Sequence, residues 1–524
     1  MKVKYLLIGI LFLSACNGRL DEMRPHNMAE ADNYLSSFNN IVNATSGLYG
    51  QFQSAAGGYT EVSLYHVAYH VLGEFRANNV IFNDAFLSWS TDYLRGPDAH
   101  FFLNSDQKSQ SYAWSVWAKS HQLILGASRN IVAIDKLYAN TVNPDEKLNL
   151  VRLKGENAFL RGLLIFNATN VFGRPFWDQP DKNLGIPLDV EATAQALERS
   201  SVRECFEQAI ADFKTAAACL PDERSDRTFA NKAASFGMLS RIYLYMGGMP
   251  ESPVEDYNRM AVRYADSTFS MKNDVVEVLQ GEELKDLYDN PKTNKEILFA
   301  FTPANFPSRI HNLVHNYYSW YGYESSASTS GYNCVISRDY EEIMDQEKDL
   351  RWTYFTEPSG RFNGRYNTKK YNGGKYEAFS GYYSFACPVV FIRAGEVILN
   401  RAEAYMKLGE SGKALADLNY IRQRAGLSPL SGISGMELFD EIFDERRREL
   451  AFEAQTYYDY VRNGRKMERK EVSVAYSSYT ARQYNEIDPQ TSRRTMCLIP
   501  SEEISLNWYR MSIEKSRKLK FIII

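Results

Sequence analysis

Apolar residues recur at three- and four-residue spacings along most of the chain, which is the pattern of helices that bury one face. Glycines and prolines separate these stretches, as Gly247-Gly248 and Pro250 do after one of them. The pattern predicts helix pairs at 153–172 and 202–220, at 229–246 and 257–265, and at 390–408 and 413–425, followed by one helix at 436–461.

The third predicted pair carries the clearest internal pattern. Small residues Ala402 and Ala404 precede Tyr405 and the turn at Gly409, and Ala414 lies early in the second helix. This order resembles a tetratricopeptide unit, which buries its faces only by stacking on neighbouring units. We therefore predict a mainly α fold, a tetratricopeptide-like αα-superhelix built from degenerate helix-pair repeats.

A long insertion interrupts the helical pattern between about 303 and 387. It is rich in Gly, Ser, Asn and Tyr, and its densest aromatic run is YYSWYGY at 317–323. Long irregular segments in compact domains are usually functional or disordered, and this many aromatic residues argues against disorder. We predict a helical region at 34–302, an irregular insertion at 303–387, and a C-terminal region at 388–524 with a helical pair, a further helix and a tail.

The first sixteen residues have the pattern of an export signal. Lys2 and Lys4 precede an apolar run at 5–13 that is too short to span a bilayer, and Ser14-Ala15-Cys16 ends it. This arrangement resembles the lipobox of bacterial lipoproteins and predicts a signal peptide at 1–16 with an acylated Cys16, followed by a tether at 17–33. The alternative is a buried helix start that happens to end in cysteine.

Composition narrows the choice of partners. The formal charge of −4 becomes −6 without Lys2 and Lys4, a mild acidity for 524 residues that argues against nucleic acid as a partner. Aromatic residues make up 14% of the chain, with 35 Tyr, and a tyrosine offers an apolar face and a hydrogen-bonding tip to a polar ligand.

Sequence signatures of enzymes are missing from the chain. It has no GxSxG elbow, no HExxH, no GxGxxG after a strand and no CxxC. The acidic residues at 440–445 adjoin Arg446 to Arg448 on a predicted helix, which favours a solvated face with ion pairs over catalytic carboxylates. We therefore expect a protein without catalysis, cofactor or metal.

Three charges lie on otherwise apolar helix stripes. Glu396 and Glu403 share a face of the predicted helix at 390–408, and Arg446 lies on the apolar face of the helix at 436–461. An unpaired buried charge is very costly, so we predict that these helices pack together and that a glutamate pairs with a basic residue of another helix, Arg446 above all.

Three further stretches carry a resemblance to a known family. They are LKGENAFLRG at 153–162, RAGEVILNRAEAY at 393–405 running into LNYIRQRAG at 418–426, and DERRRELAFE at 444–453, with Ile499-Pro500 after them. In this order, behind a lipobox, they resemble the SusD/RagB family of outer-membrane lipoproteins from Bacteroidetes-type bacteria. The resemblance extends over nearly the whole mature chain.

The resemblance implies a helical scaffold with an irregular, loop-rich ligand-binding lobe, lipid anchorage in the outer membrane and a SusC-like TonB-dependent transporter as partner. The segment 73–79 falls where the family often places an acidic residue, an arginine and an aspartate near the ligand, although this chain has Asn78-Asn79 there. The candidate ligand-binding residues are Glu74, Arg76, Asn78, Asn79, Tyr317, Tyr318, Trp320 and Tyr321.

The leading hypothesis is a surface lipoprotein that captures oligosaccharides and delivers them to the transporter. Sugars need flat apolar faces for their C–H sides and polar groups for their hydroxyls. Two alternatives remain open: the same scaffold binding peptides or another nutrient, as RagB-like members do, and a repeat protein that only organises partner proteins.

Overall fold

The computed structural model describes most of the chain between residues 31 and 499. The described residues are 31–53, 68–82, 99–100, 102, 112–193, 197–222, 224–271, 275–288, 290–301, 334–359, 363–370, 389–471 and 485–499. The predicted signal peptide with Cys16, residues 17–30 of the predicted tether and the aromatic run at 317–323 lie outside these ranges.

The described part of the chain is mainly helical, which confirms the predicted fold class. Its α-helices are α1 (Ala31–Tyr34), α2 (Phe38–Gln53), α3 (Tyr112–Asn140), α4 (Pro144–Phe172), α5 (Val202–Cys219), α6 (Lys232–Met246), α7 (Glu255–Phe269), α8 (Arg338–Glu341), α9 (Leu350–Phe355), α10 (Ala394–Lys407), α11 (Ser411–Arg424), α12 (Gly435–Leu450) and α13 (Thr456–Arg462). Its strands are β1 (Val80–Phe82), β2 (Gly248–Met249), β3 (Ser252–Pro253), β4 (Ile297–Phe301), β5 (Cys334–Ile336), β6 (Thr356–Pro358), β7 (Tyr366–Thr368), β8 (Val389–Arg393), β9 (Met467–Glu468) and β10 (Glu486–Ile487).

The long helices stack in chain order. Each helix from α2 to α6 packs against the next one along the chain, and α10 packs on α6, α7, α11 and α12. Their apolar faces form one continuous core, to which Leu163 of α4, Met238 of α6, Val397 of α10 and Phe443 of α12 contribute. This is the stacking that helix-pair repeats require, since a single pair cannot bury its own apolar faces.

Local sequence determines where the paired helices begin. The Asn143 side chain accepts the backbone N–H of Asp145 at the start of α4, and Pro144 occupies the first helical position. Ser201 and Glu204 form a capping box at the start of α5. Both helix pairs predicted for the first half of the chain are present, as α4 with α5 and α6 with α7.

The predicted helix at 390–408 is wrong over its first residues, which form strand β8. β8 pairs antiparallel with β4 so that Phe301 lies opposite Val389, and both strands are buried along their whole length. A short, continuous apolar run lacks the periodicity that separates a buried strand from a helix. The helix itself begins at Ala394.

The single helix predicted at 436–461 is also wrong, because a break at 451–455 divides it into α12 and α13. Phe452 and Ala454 have left-handed backbone angles there, with φ of 67° and 62°. Such angles are unfavourable for residues that carry a side chain and persist only where the surroundings hold them. The break sequence, AFEAQ, contains no glycine or proline that would indicate it.

The buried stripe charges are paired across helices, as predicted. Glu396 accepts hydrogen bonds from Arg241 of α6, with 2.6 Å between Arg241 Nη2 and Glu396 Oε2. Glu403 pairs with Arg462 of α13 at 2.6 Å, and Arg446 lies 3.8 Å from it. The predicted Arg446 contact is therefore present, although Arg462 is the nearer partner.

A larger group of buried charges centres on Glu449 at the end of α12, and we call it the Glu449 cluster. The Glu449 carboxylate contacts the guanidinium groups of Arg351, Arg393 and Arg424, none of them more than 3% exposed. Burial alone would raise the pKa of the Glu449 carboxyl, yet the guanidinium groups of Arg424, Arg393 and Arg351 hold it well below its usual range. Because Arg351 belongs to the predicted insertion, the cluster joins the insertion to the helical scaffold.

The described residues of the predicted insertion form short regular elements. β5 pairs with β1, and β6 pairs antiparallel with β7, with Thr356 opposite Thr368. Helices α8 and α9 lie between β5 and β6 in the chain. Across the ranges that the structure describes, no helix has both the length and the apolar character needed to cross a membrane.

Candidate ligand-binding site

The predicted site segment at 74–79 joins a π-helical turn, Val71–Phe75, to strand β1. A Cβ at Gly73 would collide with the carbonyl oxygen of Ala454, so this close approach to the helix break requires glycine. On the other side, the Ser337 hydroxyl donates a hydrogen bond to the Asn78 carbonyl oxygen at 2.6 Å. The segment is therefore held between the helix break and the insertion.

The structure buries all four predicted site residues of this segment. Glu74 and Asn79 are 0% exposed, and Arg76 and Asn78 are 5% exposed. The Asn79 side-chain amide donates hydrogen bonds to Glu74 Oε1 and Thr456 Oγ1, both at 2.9 Å. These side chains bind protein groups in this structure, and their contact with a ligand stays a prediction.

Arg76 is held by aromatic rings and carbonyl oxygens. Its guanidinium carbon lies 5.1 Å from the ring centre of Phe102 and 4.5 Å from that of Tyr457. The same group donates hydrogen bonds to the carbonyl oxygens of Arg494 and Thr495. Cation–π contacts and charge-assisted hydrogen bonds together fix the segment against residues near the end of the described chain.

Glu74 carries the only carboxyl group of the segment, and its pKa differs from that of an exposed glutamate. Burial raises its pKa to about 7, against the opposing effects of the Asn79 amide, the backbone amides of Phe452 and Ala454, and the Lys370 ammonium group. The pKa of an exposed glutamate is about 4.5. Glu74 therefore titrates near neutral pH inside the protein.

The substitution Glu74→Gln is expected to stabilise the protein at high pH and to leave it unchanged at low pH. A raised pKa means that the folded state binds the proton more tightly, so folding stability falls as the pH rises from about 4.5 to 7 and stays low above that. An uncharged amide removes this loss, which amounts to about 3 kcal/mol at pH 8. Urea unfolding of both proteins at pH 5, 6, 7 and 8 measures the difference.

The matched control for this experiment is Glu282→Gln on the exposed 3-10 turn Gly281–Asp286. Its effect on the free energy of unfolding is expected to be small, because the Glu282 side chain is exposed. A difference between the parent protein and Glu74→Gln that does not change between pH 5 and pH 8 would contradict the buried, titrating carboxyl.

Of the described residues that flank 302–333 and 371–388, two pair with each other and two contact strand β1 or the helix break. Phe301, which precedes the first stretch, pairs with Val389, which follows the second. Cys334 follows the first stretch and pairs with Phe82 of β1. Lys370 precedes the second stretch, and its ammonium group donates to the Ala451 carbonyl oxygen at 2.9 Å. We call residues 74–82, β5, Lys370 and the break at 451–455 the site base.

A series of packed rings extends from Tyr69, just before the π-helical turn, to strands β4 and β8. The ring of Tyr69 stacks on Tyr458 of α13 at 5.4 Å and lies 6.3 Å from Phe391 of β8. Phe391 in turn lies 5.5 Å from Phe301 of β4. All four rings are buried, so the flanks of both stretches rest on one packed aromatic layer.

Sequence reasoning missed Lys370, Arg447 and Thr456. The Lys370 ammonium group donates to Glu453 Oε1 at 2.8 Å, across 83 residues of sequence. Arg447 donates to Asn79 Oδ1 at 3.2 Å, across 368 residues. Arg447 belongs to the DERRRELAFE stretch, but that motif does not indicate a contact with Asn79. No motif indicates a role for Lys370 or Thr456.

The polar side chains of the site base hold the surrounding backbone in position. The charged and amide groups of the site base bind other protein groups, among them the Thr456 hydroxyl, the Arg447 guanidinium group and backbone carbonyl oxygens, and these bonds hold the described residues beside the neighbouring stretches. Within the part of the chain that the structure describes, no three His, Cys, Asp or Glu side chains are placed to hold a metal ion.

The stacked helices with an inserted lobe are the fold that the sequence motifs predict. Two family models match the chain. The model described as "SusD family" matches residues 269–512, and the model described as "Starch-binding associating with outer membrane" matches residues 68–244. The two matches together span most of the chain. The chain belongs to the SusD/RagB family, as the sequence motifs predict.

Named relatives and solved structures agree with this assignment. SusD-like protein P38 of Formosa agariphila is 22% identical over 517 residues, which cover 88% of this chain and 91% of the relative. SusD-like protein P2 of the same organism is 26% identical over 392 residues, covering 66% and 70% of the two chains. A SusD superfamily protein from Bacteroides thetaiotaomicron shares the fold with a TM-score of 0.74 at 24% identity, covering 90% and 98%.

One further structural relative is described by its ligand class. A SusD-like carbohydrate binding protein from Bacteroides vulgatus has a TM-score of 0.71 at 17% identity, and the match covers 89% of this chain and 96% of that one. At this level of identity the likeness shows the common fold.

Proposed function

We propose that this protein binds oligosaccharides at the outer membrane, does no chemistry on them and delivers them to a SusC-like TonB-dependent transporter. The family membership supports the ligand class, because one matching family model is described as starch-binding and one structural relative as carbohydrate binding. The observation that carries the proposal is that Cys334, which follows 302–333, pairs with Phe82, and that Lys370, which precedes 371–388, contacts the helix break at 451–455.

The proposed binding surface combines the aromatic run at 317–323 with the segment at 74–79. Cys334, 11 residues after the run ends, pairs with Phe82, which follows the segment by three residues. Aromatic rings offer flat apolar faces to the C–H side of a pyranose, and polar groups beneath them can fix its hydroxyls. The proposed contacts are Tyr317, Tyr318, Trp320 and Tyr321, with Glu74, Arg76, Asn78 and Asn79 in the site base.

Isothermal titration against a panel of oligosaccharides and a panel of peptides of similar length tests the ligand class. We expect saturable heats with a subset of the oligosaccharides, and we expect each bound oligosaccharide to be recovered unchanged. Binding of peptides alone would overturn the proposal in favour of a RagB-like function. Copurification with partner proteins and no binding of either ligand class would favour a repeat scaffold.

Lipid anchorage through Cys16 is the second part of the proposal. Cys16→Ala removes the thiol that would carry the lipid, so the protein is expected to leave the membrane fraction and appear in the soluble fraction. Fractionation of cells followed by immunoblotting measures the change, with Cys219→Ala as a control that keeps the candidate anchor. Retention of the Cys16→Ala protein in washed membranes would count against a lipid anchor.

A further inference from the structure

The tip of the hairpin formed by α3 and α4 carries exposed apolar side chains. Val142, in the short connection between the helices, is 94% exposed, Leu148 is 71% exposed and Tyr138 is 41% exposed. The Lys147 ammonium group lies 5.0 Å from the centre of the Tyr138 ring, so the two helix ends meet at one tip. Single exposed apolar residues are ordinary, but a group of them on one hairpin tip indicates a contact with something apolar.

The N-terminal end of the described chain packs beside this tip. Leu35 and Ile41 form a buried cluster with Ile134 of α3 and Leu150 of α4. Tyr34, which precedes Leu35 at the end of α1, is 42% exposed. The chain therefore enters the folded body at the end of the molecule that bears the tip.

The length of chain before this point limits how far the tip can lie from a lipid on Cys16. Residues 17–30 are 14 residues long, and together with the bonds at both ends they reach at most about 50 Å when fully extended. A body joined to the membrane by so short a connection stays near the lipid surface. The end of the body where the chain enters is the end held closest to it.

We propose that the hairpin tip, made of Tyr138, Val142 and Leu148, inserts into the headgroup region of the membrane that holds the lipid anchor. The inference rests on the proposed acylation of Cys16. Aliphatic side chains at a hairpin tip can leave water by entering the region of the lipid headgroups. A tyrosine such as Tyr138 favours the membrane interface, and Lys147 can extend its ammonium group toward lipid phosphates.

Insertion of the tip would also fix the orientation of the protein at the membrane, which a lipid anchor does not do. An acyl chain alone holds a protein at the membrane but leaves its orientation undetermined, and a second apolar contact fixes one end of the folded body against the surface. Each exposed aliphatic side chain that leaves water strengthens such a contact by about tenfold or more. The helical stack would then stand on the membrane at the α3–α4 end.

Photo-crosslinking of the acylated, full-length protein in outer-membrane vesicles tests the inference. The photoreactive residue p-benzoylphenylalanine replaces Val142 in one sample and Lys413, an exposed residue of α11, in the other. We expect lipid adducts at position 142 and at least tenfold fewer at position 413. Adducts of position 142 to a transporter or to a second copy of the chain, or equal lipid labelling at both positions, would overturn the inference.

A second substitution and a mass measurement make the result unambiguous. Adding Leu148→Asp to the protein labelled at position 142 is expected to reduce lipid adducts several-fold without changing the melting temperature, since the Leu148 side chain is largely exposed. Unchanged labelling would contradict insertion. Mass spectrometry of the same samples reports the acylation of Cys16, so an acylated protein without lipid adducts refutes the tip alone, and an unacylated one refutes the anchor and the inference together.

Discussion

The substitution Glu449→Gln is expected to lower the free energy of unfolding by about 3–5 kcal/mol, because a neutral amide leaves buried guanidinium groups short of negative charge. Arg351 and Arg424 keep Asp349 and Glu296 as partners, but both lose a charge-assisted contact to Glu449. The introduced amide also places N–H donors where a carboxylate oxygen accepted hydrogen bonds. Urea unfolding at pH 7, followed by circular dichroism, measures the loss.

Glu255→Gln is the matched control for this prediction. Glu255 pairs with Arg259 at 2.6 Å, but the two side chains are 68% and 58% exposed, so the pair is solvated at all times. Its removal is expected to change stability by less than about 1 kcal/mol. If Glu449→Gln costs no more than Glu255→Gln, the Glu449 cluster does not stabilise the fold in the way that its burial implies.

The substitution Trp320→Ala is expected to abolish measurable glycan binding while leaving the melting temperature nearly unchanged. An aromatic ring that stacks on a ligand typically contributes about 2 kcal/mol or more, which is thirtyfold or more in affinity. An exposed ring contributes little to folding, because it leaves water only when the ligand arrives. Isothermal titration and thermal unfolding of the same preparation measure both effects.

Trp352→Ala is the matched control, since it makes the same substitution at a buried ring. Trp352 is 7% exposed and packs edge-to-face on Tyr366 at 4.8 Å between ring centres. Its loss is expected to cost about 3–5 kcal/mol of stability. A similar fall in stability for Trp320→Ala, with binding weakened only in proportion, would identify Trp320 as a core residue and move the proposed site elsewhere in the insertion.

Helical periodicity predicted the scaffold because each repeat buries its own stripe against a sequence neighbour. It failed where tertiary contacts decide the backbone. β8 is a strand because β4 lies beside it, and the break at 451–455 holds Phe452 and Ala454 in left-handed angles that their residue types disfavour. The stripe charges required partners, but the sequence did not indicate that Arg241 would serve Glu396.

The candidate site was harder to predict than the scaffold. Composition located the aromatic run, and the family pattern located 74–79, but polar residues in a short segment suggest an exposed surface. In the structure, Asn79 bonds to Thr456 across 377 residues of sequence, and that contact buries the segment. A single sequence contains no signal for a contact between residues so far apart.

The pairing of Phe301 with Val389 makes residues 302–388 a cassette whose two ends lie side by side. Evolution or an engineer can exchange such a unit for one of another length at little entropic cost. The consequence depends on whether 302–333 alone or the whole of 302–388 is replaced. Replacing 302–333 alone leaves the contacts of Arg351 and Lys370 with Glu449 and Glu453 intact. Replacing the whole cassette removes Arg351 and Lys370, which pair with the buried carboxylates of Glu449 and Glu453. A foreign lobe would therefore have to supply its own cationic side chains to these two carboxylates.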